Sequence, residues 1–149
     1  MKIDIPNAVM VSDRILAGGQ PDEAQLRQAA AAGFKTIVNL RGAGETGSLD
    51  NEAELVGSLN MKYVAIPIAG ATGLNAESAR KLADSLAGSE ALPAMVHCAS
   101  GNRVGYLFAL KAFVVDGLDG GEALAFGKAV GMRRESARLE ELLASDPRD

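Results

Sequence analysis

Cysteine and histidine each occur once in the chain, and they are neighbours: His97-Cys98 stands within the run V-H-C-A-S-G-N-R-V-G from Val96 to Gly105. A thiol followed by small residues, a glycine and an arginine suits anion chemistry. If a strand ends at His97 and a helix starts near Arg103, several backbone N–H groups and the positive end of a helix dipole converge on one spot. Those groups and a nearby guanidinium favour thiolate over thiol at Cys98, which makes it a nucleophile at neutral pH. Arg103 supplies a planar fork for two oxygens of a tetrahedral oxyanion. Gly101 lets an anion approach the backbone, and Ala99 and Asn102 complete the turn around the ligand. Ser100 can donate a hydrogen bond to the thiolate or to the ligand, and His97 can position the cysteine through its ring N–H. Such covalent catalysis needs no metal and no cofactor.

Taken singly, each of these residues has a structural reading: cysteine as a small buried hydrophobe, histidine as a satisfied polar group, glycine as an ordinary turn residue. Taken together, strand, His, Cys, short turn, Gly, Arg and helix form a constellation that points to a site.

The elements that must carry this loop follow from the hydrophobic pattern. AVMVS and RILAG read as two short extended segments ended by Gly18-Gly19-Gln20-Pro21. A helix starts at Pro21 or Asp22 and stops at Gly33. KTIVNL, residues 35–40, is a β-branched run of buried-strand length. After the loop Arg41 to Gly47, LDNEAELVGSLN reads as a helix with Leu49, Ala53, Val56 and Leu59 on one face. Tyr63 to Ile68 reads as another buried strand, with Pro67 near its end. Asn75 caps a helix running through Ala87. The strand PAMVHC precedes the site loop, an apolar helix runs from Arg103 to about Val115, and two more helices span Glu122 to Val130 and Glu135 to Ala144. Alternating strands and helices imply an α/β fold: a central, mostly parallel sheet of four to five strands flanked by helices, with a helical C-terminal cluster. Ligands of such sheets sit at the carboxyl ends of the strands, which directs attention to the loops Arg41 to Gly47, Ala69 to Leu74 and Cys98 to Arg103.

A chain of 149 residues fits one domain spanning 1–149. With 48% hydrophobic and 23% charged residues it belongs to the globular class. A net charge of −4 gives no nucleic-acid footprint. One cysteine excludes an intramolecular disulfide and suits a reducing compartment. The N-terminal residues lack the ~7–15-residue apolar block of a signal peptide. The stretch Tyr106 to Val115, interrupted by Lys111, falls far short of the ~18 apolar residues of a membrane span. The expected location is the cytoplasm, away from membranes.

The pattern H-C-x-x-G-x-R between strand and helix resembles the phosphate-binding loop of cysteine-dependent phosphatases of the tyrosine and dual-specificity type. ILAGGQP, GFKTIVNLR and YVAIPI resemble the succession in a bacterial family of small phosphatase-like domains also found fused to metallo-β-lactamase-like hydrolases. The resemblance runs from about Asn7 to Leu143. It implies a phosphatase-like fold, a phosphoric monoester hydrolase with Cys98 as the nucleophile of a thiophosphate intermediate, and Arg103 binding the phosphoryl oxygens. The implied ligands are a phosphorylated small molecule or phosphoprotein, and oxyanions such as phosphate or sulfate in the loop.

Two departures from the general pattern matter. Four residues separate Cys98 from Arg103, one fewer than in the common loop, and in this the chain is similar to rhodanese-type sulfurtransferases, which carry a persulfide. A persulfide on Cys98 is therefore the alternative chemistry. The family's general acid, an aspartate upstream of the cysteine, would fall within Ile66 to Asn75, where there is no carboxylate. Such an acid contributes about 10²–10⁴-fold. Glu45, after the strand ending in Leu40-Arg41, is the carboxylate placed to replace it. Asp50, Glu52 and Glu54 read as a helix first turn favoured by the dipole. Arg41 either extends the anion site or forms a salt bridge. Thr72 can bond substrate; Asn75 reads as a cap. Arg133 and Arg134 read as a solvated pair flanking a helix, with contact to a phosphorylated substrate as the alternative. Tyr63 and Tyr106 read as core or core-edge residues, and 4% aromatic content offers no evident clamp for a phosphotyrosine ring.

Overall fold

The computed structural model describes residues 3–68 and 73–145. Five strands form its centre: β1 (Val9–Ser12), β2 (Ile15–Gly18), β3 (Thr36–Asn39), β4 (Lys62–Ala65) and β5 (Ala94–His97). Their order across the sheet is β1-β2-β5-β3-β4. β2, β5, β3 and β4 run parallel, and β1 returns antiparallel against β2. The mostly parallel α/β fold expected from the alternation of elements is the fold observed. The register sets Gly18, His97 and Asn39 side by side at the carboxyl ends of three adjacent strands.

Among the described residues, six α-helices cover the two faces: α1 (Glu23–Ala31), α2 (Glu52–Ser58), α3 (Ala76–Ser85), α4 (Asn102–Val114), α5 (Gly120–Ala129) and α6 (Ala137–Ala144). Strand side chains alternate between the faces. Val38, Leu40 and Val96 pack with Leu82, Val104, Leu107 and Phe108 on the side of α3 and α4. Leu16, Ile37 and Met95 pack on the other side with Leu26, Leu55 and Val56 of α1 and α2. Burial on both faces explains why β3 and β5 read as continuous apolar runs. The C-terminal helices join through an edge-to-face contact of Phe108 with Phe126, ring centroids 6.2 Å apart.

Capping follows the sequence. Asp22 accepts from the Gln25 N–H at 2.8 Å, and the Gln25 side chain answers the Asp22 N–H. Asn75 accepts from the Ser78 N–H at 2.9 Å. Two elements differ from expectation. α2 starts three residues later than Leu49, because Leu49 to Asn51 form a turn closed by Glu52 N–H on the Leu49 carbonyl. β4 is an edge strand and only partly buried. Its pairing continues past Ala65 through Ile66 and Ile68 N–H groups on the Asn39 and Leu40 carbonyls; Pro67, which has no N–H, is tolerated at this edge. Among the described residues no helix is long and apolar enough to cross a membrane.

Candidate active site

The Gly18-Gly19-Gln20 turn after β2 holds the loop after β5 from below. Cys98 N–H donates to the Gly18 carbonyl at 3.1 Å, and Gln20 N–H donates to the Ala99 carbonyl at 3.0 Å. A Cβ at Gly19 would stand 2.5 Å from the Ala99 carbonyl oxygen, so only glycine lets the two backbones lie this close. The chain then turns through Gly101 at φ +97° into α4, a helix of 13 residues. Cys98 is 1% exposed. Its Sγ accepts the Gly101 N–H at 3.1 Å, at the foot of α4, where a negative charge is favoured.

Arg103, in the first turn of α4, is gripped by Glu45. Nη1 donates to Oε2 at 2.8 Å and Nη2 to Oε1 at 2.9 Å, and Nη1 also donates to the Ile68 carbonyl at 3.1 Å. Glu45 accepts in addition from Arg41 Nε at 3.0 Å and from the Gly42 N–H at 2.6 Å. The Arg103 hydrogen bond leads in holding the Glu45 carboxyl at a pKa of about 2, helped by Gly42 and Arg41 and opposed by burial. Glu45 in turn raises the Arg103 pKa, with partial burial opposing and Cys98 adding to the rise. Glu45, expected as general acid, is found as the partner of Arg103, Arg41 and the Gly42 N–H, contacts that favour its charged form over the protonated form a general acid requires. Arg41 is buried and committed to Glu45, to the Thr46 carbonyl and, at 3.1 Å, to Gln20 Oε1. Of its two readings, the salt bridge is the one observed.

His97 lies under the loop with no exposed surface. Its Nε2 pairs with Glu52 Oε2 at 2.6 Å, and its Nδ1 faces the Cys98 carbonyl at 3.3 Å. The ring meets the backbone of Cys98, whereas the thiol is met by Gly101. Glu52 does stand in the first turn of α2, but only 2% of it is exposed. Its other oxygen accepts from Gln20 Nε2 at 2.8 Å. The dipole reading of Glu52 is therefore incomplete, since a buried histidine and a buried carboxylate each require a partner. The solitary histidine at a strand end was the available signal for that partner, and Gln20 in the breaker after β2 gave none.

The rest of the loop is tied to the C-terminal cluster. Asn102 Oδ1 accepts from the N–H groups of Arg133 at 2.8 Å and Arg134 at 3.2 Å, and Nδ2 donates to the Tyr106 hydroxyl at 2.6 Å. That hydroxyl donates to the Arg134 carbonyl at 3.0 Å. The Asn102 side chain, expected to bind substrate, is thus occupied as a tether. Arg133 donates to the Ser100 carbonyl at 2.7 Å and so belongs to the loop rather than to a solvated pair alone. Ala99 and Ser100 are exposed at the mouth. Beside the site, Asn39, Arg41, Ser48, Asp50, Glu52 and Tyr63 contribute to a cleft of about 250 Å³. Burial pushes the Tyr63 hydroxyl above its ordinary range against a hydrogen bond from Asn39, and Glu52 adds to the rise. Thr72 lies outside the described residues, and Asn75 is a cap.

Comparison with known proteins fits this geometry. A β-lactamase hydrolase-like protein of Agrobacterium fabrum (strain C58 / ATCC 33970) is 31% identical over 154 residues, covering 95% of this chain and 35% of that protein. The chain thus spans about a third of the length of that curated relative. A DUF442 protein of Shewanella putrefaciens CN-32 superposes with a TM-score of 0.74 at 19% identity, over 95% of this chain and 91% of that one. The core catalytic domain of the PP-IP phosphatase SIW14 from S. cerevisiae, in complex with citrate, gives 0.72 at 13% identity over 97% and 88%. These two likenesses are of fold. The family model described as DSP-PTPase phosphatase fused to NAD+ kinase matches residues 7–141, from the turn before β1 into α6, and the chain belongs to that family.

Proposed function

We propose that the chain is a phosphatase domain that hydrolyses phosphate monoesters through a thiophosphate on Cys98. One observation carries this reading: the Gly101 N–H points at Cys98 Sγ from 3.1 Å at the start of α4, and Arg103, five residues after Cys98, has its guanidinium held by a carboxylate. Sγ attacks phosphorus and forms an S–P bond as the P–O bond to the leaving group breaks. Water then attacks phosphorus, the S–P bond breaks, and inorganic phosphate and the Cys98 thiolate return. Arg103 has five N–H donors, and Glu45 and Ile68 engage its Nη1–Nη2 end. The Nε–Nη2 edge is the fork for the phosphoryl oxygens, with the amides of Ala99 to Asn102 as the remaining donors.

The leaving oxygen receives no proton from Glu45, which is ionised, and residues 66–75 contain no carboxylate. Substrates with good leaving groups are therefore favoured, phosphorylated small molecules or phosphoproteins alike. A lone cysteine used as a nucleophile suits a reducing compartment, which supports the cytoplasm as the site of the activity. The alternative drawn from the four-residue turn is sulfur transfer, in which a thiophilic acceptor attacks the outer sulfur of a Cys98 persulfide, the S–S bond breaks and the Cys98 thiolate returns without leaving-group protonation; the family match does not favour it.

The test incubates the protein in parallel with an aryl phosphate and with thiosulfate, then measures turnover and the Cys98 adduct by intact mass. A phosphoryl adduct trapped at low pH, with turnover lost in Cys98→Ser, is expected. A persulfide without phosphate release overturns the phosphatase reading in favour of the second.

A further inference from the structure

We propose that Gln20 is a positioning residue: its side-chain amide joins the His97–Glu52 pair beneath the nucleophile to the Arg41–Glu45 bracket that holds Arg103, and so sets the two halves of the anion site in register. This rests on the phosphatase reading for its consequence, though not for its geometry. Nε2 of Gln20 donates to Glu52 Oε1 at 2.8 Å and to the Pro21 carbonyl at 2.9 Å, while Oε1 accepts from Arg41 Nη1 at 3.1 Å. Its own N–H holds the Ala99 carbonyl at 3.0 Å. From Cys98 the contacts run through His97, Glu52, Gln20, Arg41 and Glu45 to Arg103 without a gap above 3.3 Å.

The chemistry of this bridge is restrictive. Glu52 as a carboxylate only accepts and Arg41 only donates, so the residue between them must offer one donor and one acceptor in fixed order. A primary amide does this, and its orientation is dictated by its partners. A leucine of similar reach offers neither, leaving a buried carboxylate and a buried guanidinium each one bond short. A carboxylate in its place repels Glu52, yet a protonated carboxyl presents one donor and one acceptor as the amide does. The charged groups that meet Gln20 are Glu52 of α2 and Arg41 from the loop after β3; behind them stand His97 of β5, paired with Glu52, and Glu45, paired with Arg41.

The test uses Gln20→Leu and Gln20→Glu in the full chain, with near-UV circular dichroism and thermal unfolding to establish folding. Alkylation of Cys98 by iodoacetamide is followed from about pH 5 to pH 8, with and without inorganic phosphate, beside kcat/KM for an aryl phosphate. Gln20→Leu is expected to weaken phosphate protection and kcat/KM by about tenfold while remaining folded, the scale on which supporting hydrogen bonds to a site act. Gln20→Glu is expected to match Gln20→Leu near pH 8 and to approach wild type near pH 5, relative to the wild-type profile taken in parallel. If Gln20→Leu does not fold, the pH dependence of Gln20→Glu decides alone. Phosphate protection within twofold of wild type in both variants, or a Gln20→Glu ratio to wild type that is flat with pH, overturns the proposal. Loss of phosphate protection in a chain whose wild type hydrolyses no phosphate ester supports the bridge and removes the phosphatase reading.

Discussion

Glu45 and Arg103 are 58 positions apart in sequence, yet the carboxylate grips the guanidinium with both oxygens, at 2.8 and 2.9 Å. The pair ties the loop after β3 to the first turn of α4 and fixes which edge of the guanidinium faces Cys98. A residue that sequence logic offers as a proton donor is instead an anchor, because two arginines and a backbone N–H all stabilise its charged form.

Glu45→Gln tests this with a defined pH signature. The folded pKa of about 2 lies below the ordinary 4.5, so the charge stabilises the fold above about pH 4.5 and that contribution is lost as pH falls through 2. Glu45→Gln is expected to cost about 2 kcal/mol at pH 7, less than the shift alone implies because the carboxylate still meets water. In urea unfolding, the gap to wild type should narrow below about pH 4.5 and close near pH 2. A gap independent of pH would show that the charge of Glu45 does not support the fold.

Arg103→Lys separates a fork from a point charge. A lysine could reach Glu45 with its ammonium, but it could not also present a two-donor edge to a phosphoryl group. The expected result is a fall in kcat/KM of about 10²-fold or more, the scale of losing a preorganised oxyanion donor, with thermal stability changed far less. Activity equal to wild type would remove the anion-clamp role.

The fold and the thiol loop were legible because their signals are local. The runs TIVN and AMVH read as strands, Asp22 and Asn75 read as caps, and His97 to Arg103 carry their pattern within seven consecutive residues. The supports of the site were not legible, because each is a pairing between segments far apart in sequence. Glu52 meets His97 45 positions away, Gln20 meets Glu52 32 positions away, and Arg133 meets Ser100 33 positions away. A charged residue in a helix first turn is usually solvated. Only the packing of α2 against β4 and α1 turns Glu52 inward to meet His97 at the end of β5. β4 reads as buried in the sequence and is only partly so in the fold for the complementary reason: its apolar residues occupy a sheet edge, which sequence alternation alone does not reveal.

Leaving-group dependence follows from the lack of a carboxylate between Ile66 and Asn75 and from the ionised state of Glu45. In a series of aryl phosphates of rising phenol pKa, kcat/KM is expected to fall steeply, because negative charge develops on the departing oxygen without a proton to neutralise it. Alkyl phosphates should be slower than the best aryl phosphate by at least the ~10²–10⁴-fold that a general acid supplies. A flat dependence would show that some group does donate a proton in the rate-limiting step.

Gly105→Ala decides between helix propensity and packing. Gly105 lies inside α4, where alanine is ordinarily favoured over glycine by about 0.8–1.0 kcal/mol. Here the added Cβ would stand 2.4 Å from the Met132 nitrogen and 2.8 Å from the Gly127 carbonyl oxygen, and neither backbone atom can rotate away. Overpacking of this kind costs about 1–3 kcal/mol and must push α5 and the segment after it off α4. The displaced segment includes Arg133, whose N–H holds Asn102 and whose guanidinium holds the Ser100 carbonyl. Gly105→Ala is therefore expected to lower stability in urea unfolding, by up to about 2 kcal/mol net, and also to weaken phosphate protection of Cys98. A stabilised variant with unchanged protection would mean that α5 does not pack this closely on the helix carrying the loop.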